Sequence, residues 1–93
     1  MEQQQIQIKA KDEDLKGDYS NMMQVLHTKE EFVLDFFLVS PPTGILASRI
    51  IMSPGHLKRM IKALEENIRN YEEKFGKIQE AETPEGKIGF ETK

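Results

Sequence analysis

The middle of the chain carries the clearest hydrophobic pattern. Residues 32–39 (FVLDFFLV) and 45–52 (ILASRIIM) are rich in aromatic and β-branched side chains, which favour strands. Between them lies Ser40-Pro41-Pro42-Thr43-Gly44, and two prolines with a glycine cannot continue a central strand. The pattern therefore predicts a hairpin with a five-residue loop. A weaker strand is predicted over residues 19–27, ending at a polar turn over residues 27–30.

Two flanking segments have weaker patterns. Residues 3–10 alternate between apolar and polar side chains, which predicts a short, half-buried strand. Residues 11–17 (KDEDLKG) are charged and end in glycine, so we expect a loop, with a frayed helical turn as the alternative. Residues 87–91 could add an edge strand.

The most regular pattern in the chain begins at Ser53-Pro54. Serine is a favoured N-cap and proline suits the first helical position. Gly76 stands where a C-cap glycine is expected. Between these signals, apolar residues recur at steps of four and three: Leu57, Ile61, Leu64, Ile68, Tyr71 and Phe75.

These elements predict an α+β fold in which an antiparallel sheet of three to four strands is followed by one long C-terminal helix. The 93 residues leave room for one domain, which we place at residues 1–78. Residues 79–93 are rich in glycine and charge, and we expect a mobile tail there.

The hairpin register predicts two apolar sheet faces. When Val39 and Ile45 flank the loop, Asp35 lies opposite Arg49, and an opposite-charge pair helps to fix the register. One face then carries Phe32, Leu34, Phe36, Leu38, Leu46, Ile50 and Met52. The other face surrounds the Asp35–Arg49 pair and is a candidate interface, made of Val33, Phe37, Val39, Ile45, Ala47 and Ile51.

One helix can cover only one of these two faces. Leaving the second face in water would cost several kcal/mol, at about 25 cal/mol per Å² of apolar surface. We therefore expect a homo-oligomer, a dimer or higher. Two alternatives remain open: the N-terminal strand and the tail fold back over the face, or the face binds an apolar peptide.

The charges of the predicted helix run against its dipole. Bases stand in its first turns and Glu72 and Glu73 near its end, whereas a helix dipole favours the reverse order. This arrangement predicts a candidate anion site at the helix start, made of Arg49, Ser53, His56, Lys58 and Arg59. The alternative is a solvated face with Lys62–Glu66 and Arg69–Glu73 pairs.

Composition and the absence of known motifs limit the kinds of functional site that we expect. The chain has no cysteine and two histidines outside any metal-binding motif, so no metal and no cofactor are expected. No nucleophile elbow, phosphate loop or dinucleotide fingerprint is present, and we expect no enzymatic activity. A net charge of −3 and a pI of about 5.4 make nucleic acid an unlikely partner. No apolar run could span a membrane and no signal layout is visible, so a cytoplasmic location is expected.

Several segments together resemble one bacterial and archaeal family. They are Tyr19-Ser20-Asn21, Glu31 to Phe36, Ser48-Arg49, Met52-Ser53-Pro54, His56, Lys58-Arg59, Ala63-Leu64, Asn67, Tyr71-Glu72 and Phe75-Gly76. This ordered string is similar to the domain of unknown function 3467 over about residues 6–78. The resemblance implies no catalytic residue or ligand.

At the level of fold, the order of strands followed by a helix is also similar to the SecB-type export chaperones. Those proteins are oligomers that bind unfolded chains on apolar surface, but they have a second long helix that this chain lacks. We therefore expect a non-enzymatic, oligomeric module that binds protein or peptide through an apolar sheet face or edge. The alternative is an anion- or nucleic-acid-binding module that uses the basic helix start.

Overall fold

The structure, a computed structural model, describes residues 3–92 and has the α+β class that the pattern predicts. Within those residues the sheet has three antiparallel strands in the order β1-β2-β3, and a long helix follows it. The elements are α1 Asp12–Lys16, β1 Met22–His27, β2 Phe32–Ser40, β3 Thr43–Met52 and α2 Pro54–Phe75.

Two predicted strands are wrong. Residues 3–10 have no strand, and Ile6 and Ile8 are almost fully exposed. Residues 87–91 also stay outside the sheet. An alternating pattern becomes a strand only when its backbone pairs with a neighbour, and neither segment is paired here. The charged segment forms the helical alternative, α1, and residues 1, 2 and 93 of the predicted domain and tail lie outside the described residues.

The register of β2 with β3 is confirmed at its centre and wrong near the turn. Asp35 pairs with Arg49 as predicted, but Phe37 lies opposite Leu46 and not opposite Ala47. Ala47 is the extra residue of a β-bulge, and the loop shrinks to Pro41 and Pro42. A bulge inserts one residue into one strand, so the side chains of β3 between the bulge and the turn lie on the opposite face from the one predicted.

The bulge redefines the two faces. The Leu34 face consists of Phe32, Leu34, Phe36 and Leu38 of β2 with the residues opposite them, and the Asp35 face consists of Val33, Asp35, Phe37 and Val39 with theirs. Ile45 lies opposite Leu38 and so joins the Leu34 face, whereas Leu46 joins the Asp35 face. The predicted faces of these two residues are therefore exchanged.

The segment before β1 is tied to β2 by side chains. The Asn21 amide nitrogen donates to the Val39 carbonyl at 2.9 Å, and its carbonyl oxygen accepts from the Val39 N–H at 2.9 Å. The Ser20 hydroxyl donates to the Phe37 carbonyl at 3.0 Å. The Asn21 side chain thus replaces one backbone rung of the ladder where β1 begins.

Helix α2 has the predicted caps. The Ser53 hydroxyl accepts from the His56 N–H at 3.2 Å, and Pro54 is the first helical residue. Gly76 has a φ of 97° and donates its N–H to the Glu72 carbonyl at 2.9 Å. That positive φ is the reason why glycine suits this position.

A single chain buries very little of itself. Among the described residues only Leu34, Asp35 and Phe37 are buried, and the extensive close contacts join β1 with β2 and β2 with β3. The accessible surface is 9341 Å², whereas a folded monomer of this mass exposes about 5,500 Å². The radius of gyration is 16.5 Å, against about 12 Å for a compact domain of this length. The isolated chain is therefore an open subunit.

Asn21→Ala should lower the free energy of unfolding by about 1–2 kcal/mol, because two hydrogen bonds to Val39 are lost. Urea denaturation measures this loss. Asn70→Ala, at an exposed position of α2, is the control and should change stability by less than about 0.5 kcal/mol. Equal stabilities of the Asn21→Ala variant and the unsubstituted protein would contradict the anchoring role.

Candidate functional site on the Asp35 face

The centre of the Asp35 face is a buried carboxylate held by two neighbouring strands. Asp35 is fully buried, and the guanidinium of Arg49 on β3 donates to both of its oxygens, Nε to Oδ1 at 2.6 Å and Nη2 to Oδ2 at 2.9 Å. Gln24 on β1 donates to Oδ2 at 3.1 Å. A bidentate contact is the strongest form of such a pair. It locks all three strands in register.

The charges of this pair stabilise one another. Hydrogen bonds from the Arg49 guanidinium lower the pKa of the Asp35 carboxyl below its usual 3.8, although burial opposes the shift. The hydrogen bond from Arg49 to Asp35 also raises the pKa of the guanidinium. Both groups therefore stay ionised at neutral pH, and neither is suited to give or take a proton there.

An aromatic side chain from the C-terminal segment lies over this pair. The Phe90 ring is 5.9 Å from the Phe37 ring, centre to centre, at an angle of 43°. The Arg49 guanidinium carbon lies 5.4 Å from the centre of the Phe90 ring. This distance allows a cation–π contact. Phe90 itself remains 53% exposed.

A groove lies beside Phe90 at the turn end of the sheet. Its floor is Phe37, Val39 and Leu46 on the Asp35 face, with the Pro41–Pro42 turn at one end. Residues 85–91 line it from the other side, and the space has a volume of about 810 Å³. The groove is therefore an open space between the sheet and residues 85–91 of the same chain.

The structure explains why the turn at this end is tight. A β-carbon on Gly44 would meet the Leu38 carbonyl oxygen and the Val39 side chain at 3.2 Å. Glycine thus allows the two strands to close on a two-residue connection, and this closure brings the prolines to the rim of the groove.

The six candidate interface residues lie in three different parts of the sheet. Val33, Phe37, Val39 and Ile51 lie on the Asp35 face, Ala47 is at the bulge, and Ile45 is on the Leu34 face. Phe37 is buried, whereas Ile45 and Ile51 are more than half exposed. Their role in an interface stays a prediction. Two segments of the chain were expected as alternative covers for this face. The C-terminal tail contributes Phe90, and the N-terminal strand does not form.

Four of the five candidate anion residues lie at the start of α2, and the fifth, Arg49, has other partners. Arg49 is engaged with Asp35 and Phe90. Ser53 uses its hydroxyl as the cap of α2, and Arg59 Nη2 lies 3.2 Å from His56 Nδ1. Lys58 is exposed. Anion binding at the helix start stays a prediction, and it loses Arg49 because the charge of Arg49 is already compensated.

The described part of the chain lacks two further features. Across residues 3–92, no three histidine, aspartate or glutamate side chains are grouped as they would be around a metal ion. In the same range, no helix combines the length and the apolar character needed to cross a membrane.

Sequence reasoning missed two members of this site. Gln24 lies opposite Asp35, and the alternation of β1 could have placed it on that face if the register with β2 had been worked out. Phe90 is an isolated aromatic residue in a glycine-rich tail, and no sequence signal indicates where such a residue packs.

A family model described as "Protein of unknown function (DUF3467)" matches residues 1–80. No curated protein and no solved structure matches the chain. These comparisons therefore give the family, and they add no support to the likeness to SecB-type chaperones. The matched range ends before the segment that lines the groove.

Asp35→Asn should lower the thermal midpoint at pH 7, because it leaves the Arg49 guanidinium beside a neutral amide. The native pKa of Asp35 lies below its unfolded value near 3.8, so the carboxylate adds stability above that value and loses it as the pH falls through the native pKa. The difference between the variant and the unsubstituted protein should shrink in this acidic range.

Asp18→Asn is the matched control, since Asp18 is an exposed loop residue. Thermal melts followed by circular dichroism from pH 7 to pH 3 would measure both variants. If Asp35→Asn and Asp18→Asn change the midpoint equally at pH 7, the ion pair does not hold the sheet together.

Proposed function

Because the chain belongs to the DUF3467 family, a family of unknown function, we propose a function from its geometry. The protein is a non-enzymatic, homo-oligomeric interaction module that holds an extended, aromatic-bearing polypeptide segment in the groove on the Asp35 face. One observation carries the proposal: residues 85–91 of the chain itself already line that groove, with Phe90 against Phe37 and Arg49.

The chemistry of the groove suits a peptide ligand. Apolar side chains form its floor, and the Arg49 guanidinium offers a cation to the face of an aromatic ring. Such a surface selects an aromatic anchor and tolerates the residues around it. The SecB-type likeness predicts the same class of ligand, an unfolded chain.

The C-terminal segment that lies in the groove is only weakly held there. Residues 79–92 form neither helix nor strand, and Phe90 is half exposed where it packs. It also lies outside the residues that the family shares, 1–80. A segment without regular structure whose aromatic side chain is half exposed is displaceable by a ligand of similar chemistry, because the exchange replaces like contacts with like.

Oligomerisation is supported by the surface that the chain leaves uncovered. The excess over a folded monomer is about 3,800 Å², from the area given above. A standard interface covers about 800 Å² per partner. Residues 3–10 and 77–92, which form neither helix nor strand, contribute to the excess, as do exposed apolar side chains of both faces and of α2.

A peptide with the sequence of residues 80–93 should bind the full-length Phe90→Ala variant more tightly than the unsubstituted protein, because the variant no longer fills the groove with its own ring. Fluorescence anisotropy of the labelled peptide measures both affinities. A peptide that carries Phe90→Ala is the matched ligand control and should bind neither protein.

Two substitutions locate the binding site. Leu46→Asp places a charge in the groove and should abolish peptide binding, whereas Ile50→Asp places the same charge on the Leu34 face and should leave it unchanged. Leu46 and Ile50 are 43% and 44% exposed, so neither change buries a carboxylate within the subunit. Equal binding by both variants, or no binding by any, would refute the groove as a peptide site.

A further inference from the structure

The long helix α2 carries a stripe of large apolar side chains with no cover. They are exposed by 44–66%: Ile61, Leu64, Ile68, Tyr71 and Phe75. Leaving this stripe in full contact with solvent would cost several kcal/mol, at about 25 cal/mol per Å² of apolar surface. It needs a partner, and its spacing and flanking charges indicate which partner.

The stripe has the width of a helix–helix seam. From Leu57 to Phe75 its members recur strictly at steps of four and three, which are the a and d positions of a heptad. A helix packed on a sheet presents a wider face, with further apolar residues beside these positions. Here the adjacent positions are Lys58, Glu65 and Glu72 on one flank and Met60, Asn67 and Lys74 on the other.

Basic and acidic side chains are concentrated in different halves of α2. Residues 56–64 contain three bases and no acid, whereas residues 65–75 contain four acids and two bases. Each half opposes the helix dipole, so the order does not stabilise the helix itself. In an antiparallel pair, the basic half of one helix lies beside the acidic half of the other, and the two dipoles also oppose each other favourably.

We propose that α2 pairs antiparallel with α2 of a second copy of this chain. The stripe then forms layers of Leu57 with Phe75, Ile61 with Tyr71, and Leu64 with Ile68, each between the two copies. This deepens the oligomeric part of the proposed function and rests on it. Lys58 of each copy reaches Glu72 of the other, giving two attractive pairs for each dimer.

The pairing leaves one like-charge contact. Glu65 meets Glu65 of the second copy near the twofold axis, since the axis passes between the layers on either side of residue 66. A parallel pair would avoid this contact but would lose both attractive pairs and place the like-charged halves together. The balance of charge therefore favours the antiparallel arrangement.

Charge exchange tests the orientation. Lys58→Glu and Glu72→Lys should each weaken the dimer about tenfold, because two attractive pairs become repulsive. Both changes bring the helix ends into agreement with the dipole, so a loss of helix stability would not explain the weakening. The double variant should restore the dissociation constant, measured by sedimentation equilibrium at low salt.

Contacts within a single chain cannot restore the dimer in the double variant. Residues 58 and 72 are 14 positions apart on one helix, about 21 Å. Glu72→Lys also removes the hydrogen bond from the Ile78 N–H to the Glu72 carboxylate, but the double variant lacks it too. Arg59→Glu with Glu73→Lys is the matched control: both residues lie opposite the seam, and the dimer should be unchanged.

Cross-linking provides the decisive result, because the chain has no cysteine of its own. In the antiparallel pair, Glu65→Cys should form a disulfide-linked dimer on oxidation and Lys58→Cys should not, since the two copies of residue 58 are more than 20 Å apart along the axis. Linkage of neither variant, or equal linkage of both, would overturn the antiparallel pairing.

The experiments distinguish failure of the helix pairing from failure of the peptide site. Peptide binding by Phe90→Ala is read by anisotropy on the Asp35 face, which the α2 substitutions do not touch. Loss of the dimer with peptide binding retained would overturn the helix pairing alone. A restored dimer with no peptide binding would support the pairing and refute the groove.

Discussion

Incomplete apolar burial governs the fold: three strands make two apolar faces, and the long helix α2 makes no extensive contact with either face among the described residues. Only Leu34, Asp35 and Phe37 are buried in the described part of a single chain. Stability of a small domain comes mainly from apolar burial, and here that burial is incomplete. The open form of the chain and its exposed helix stripe are both consequences of this incomplete burial, and they are the basis of the proposed association with a second copy.

The Asp35–Arg49 pair connects the sheet to the groove. Its bidentate geometry and the hydrogen bond from Gln24 join all three strands through one buried carboxylate. The guanidinium then has two contacts, with the Asp35 carboxylate through two hydrogen bonds and with the Phe90 ring, whose centre is 5.4 Å from its carbon. A group that fixes the sheet therefore also shapes the surface on which an aromatic side chain rests. Arginine's planar group, with several donors, allows one side chain to make both contacts.

The sequence predicted those features that depend on neighbouring residues or on a strong cross-strand pair. The helix was predicted from Ser53 to Gly76 because caps and a strict spacing act within one element. The pairing of Asp35 with Arg49 was predicted because opposite charges in apolar strands permit one register. The bulge at Ala47 was missed, since apolar residues occupy both faces there and the pattern does not resist a one-residue shift. Ile45 and Leu46 were consequently placed on the wrong faces.

What the sequence determined by itself is therefore the α+β class, the hairpin, the capped helix and the charged pair, because each is set by local propensity or by one dominant contact. The tertiary structure alone decided that residues 3–10 stay unpaired, that Asn21 closes the ladder and that Phe90 lies on Phe37. Those outcomes depend on which surfaces meet in space, and contacts between distant segments leave no periodic signal along a chain.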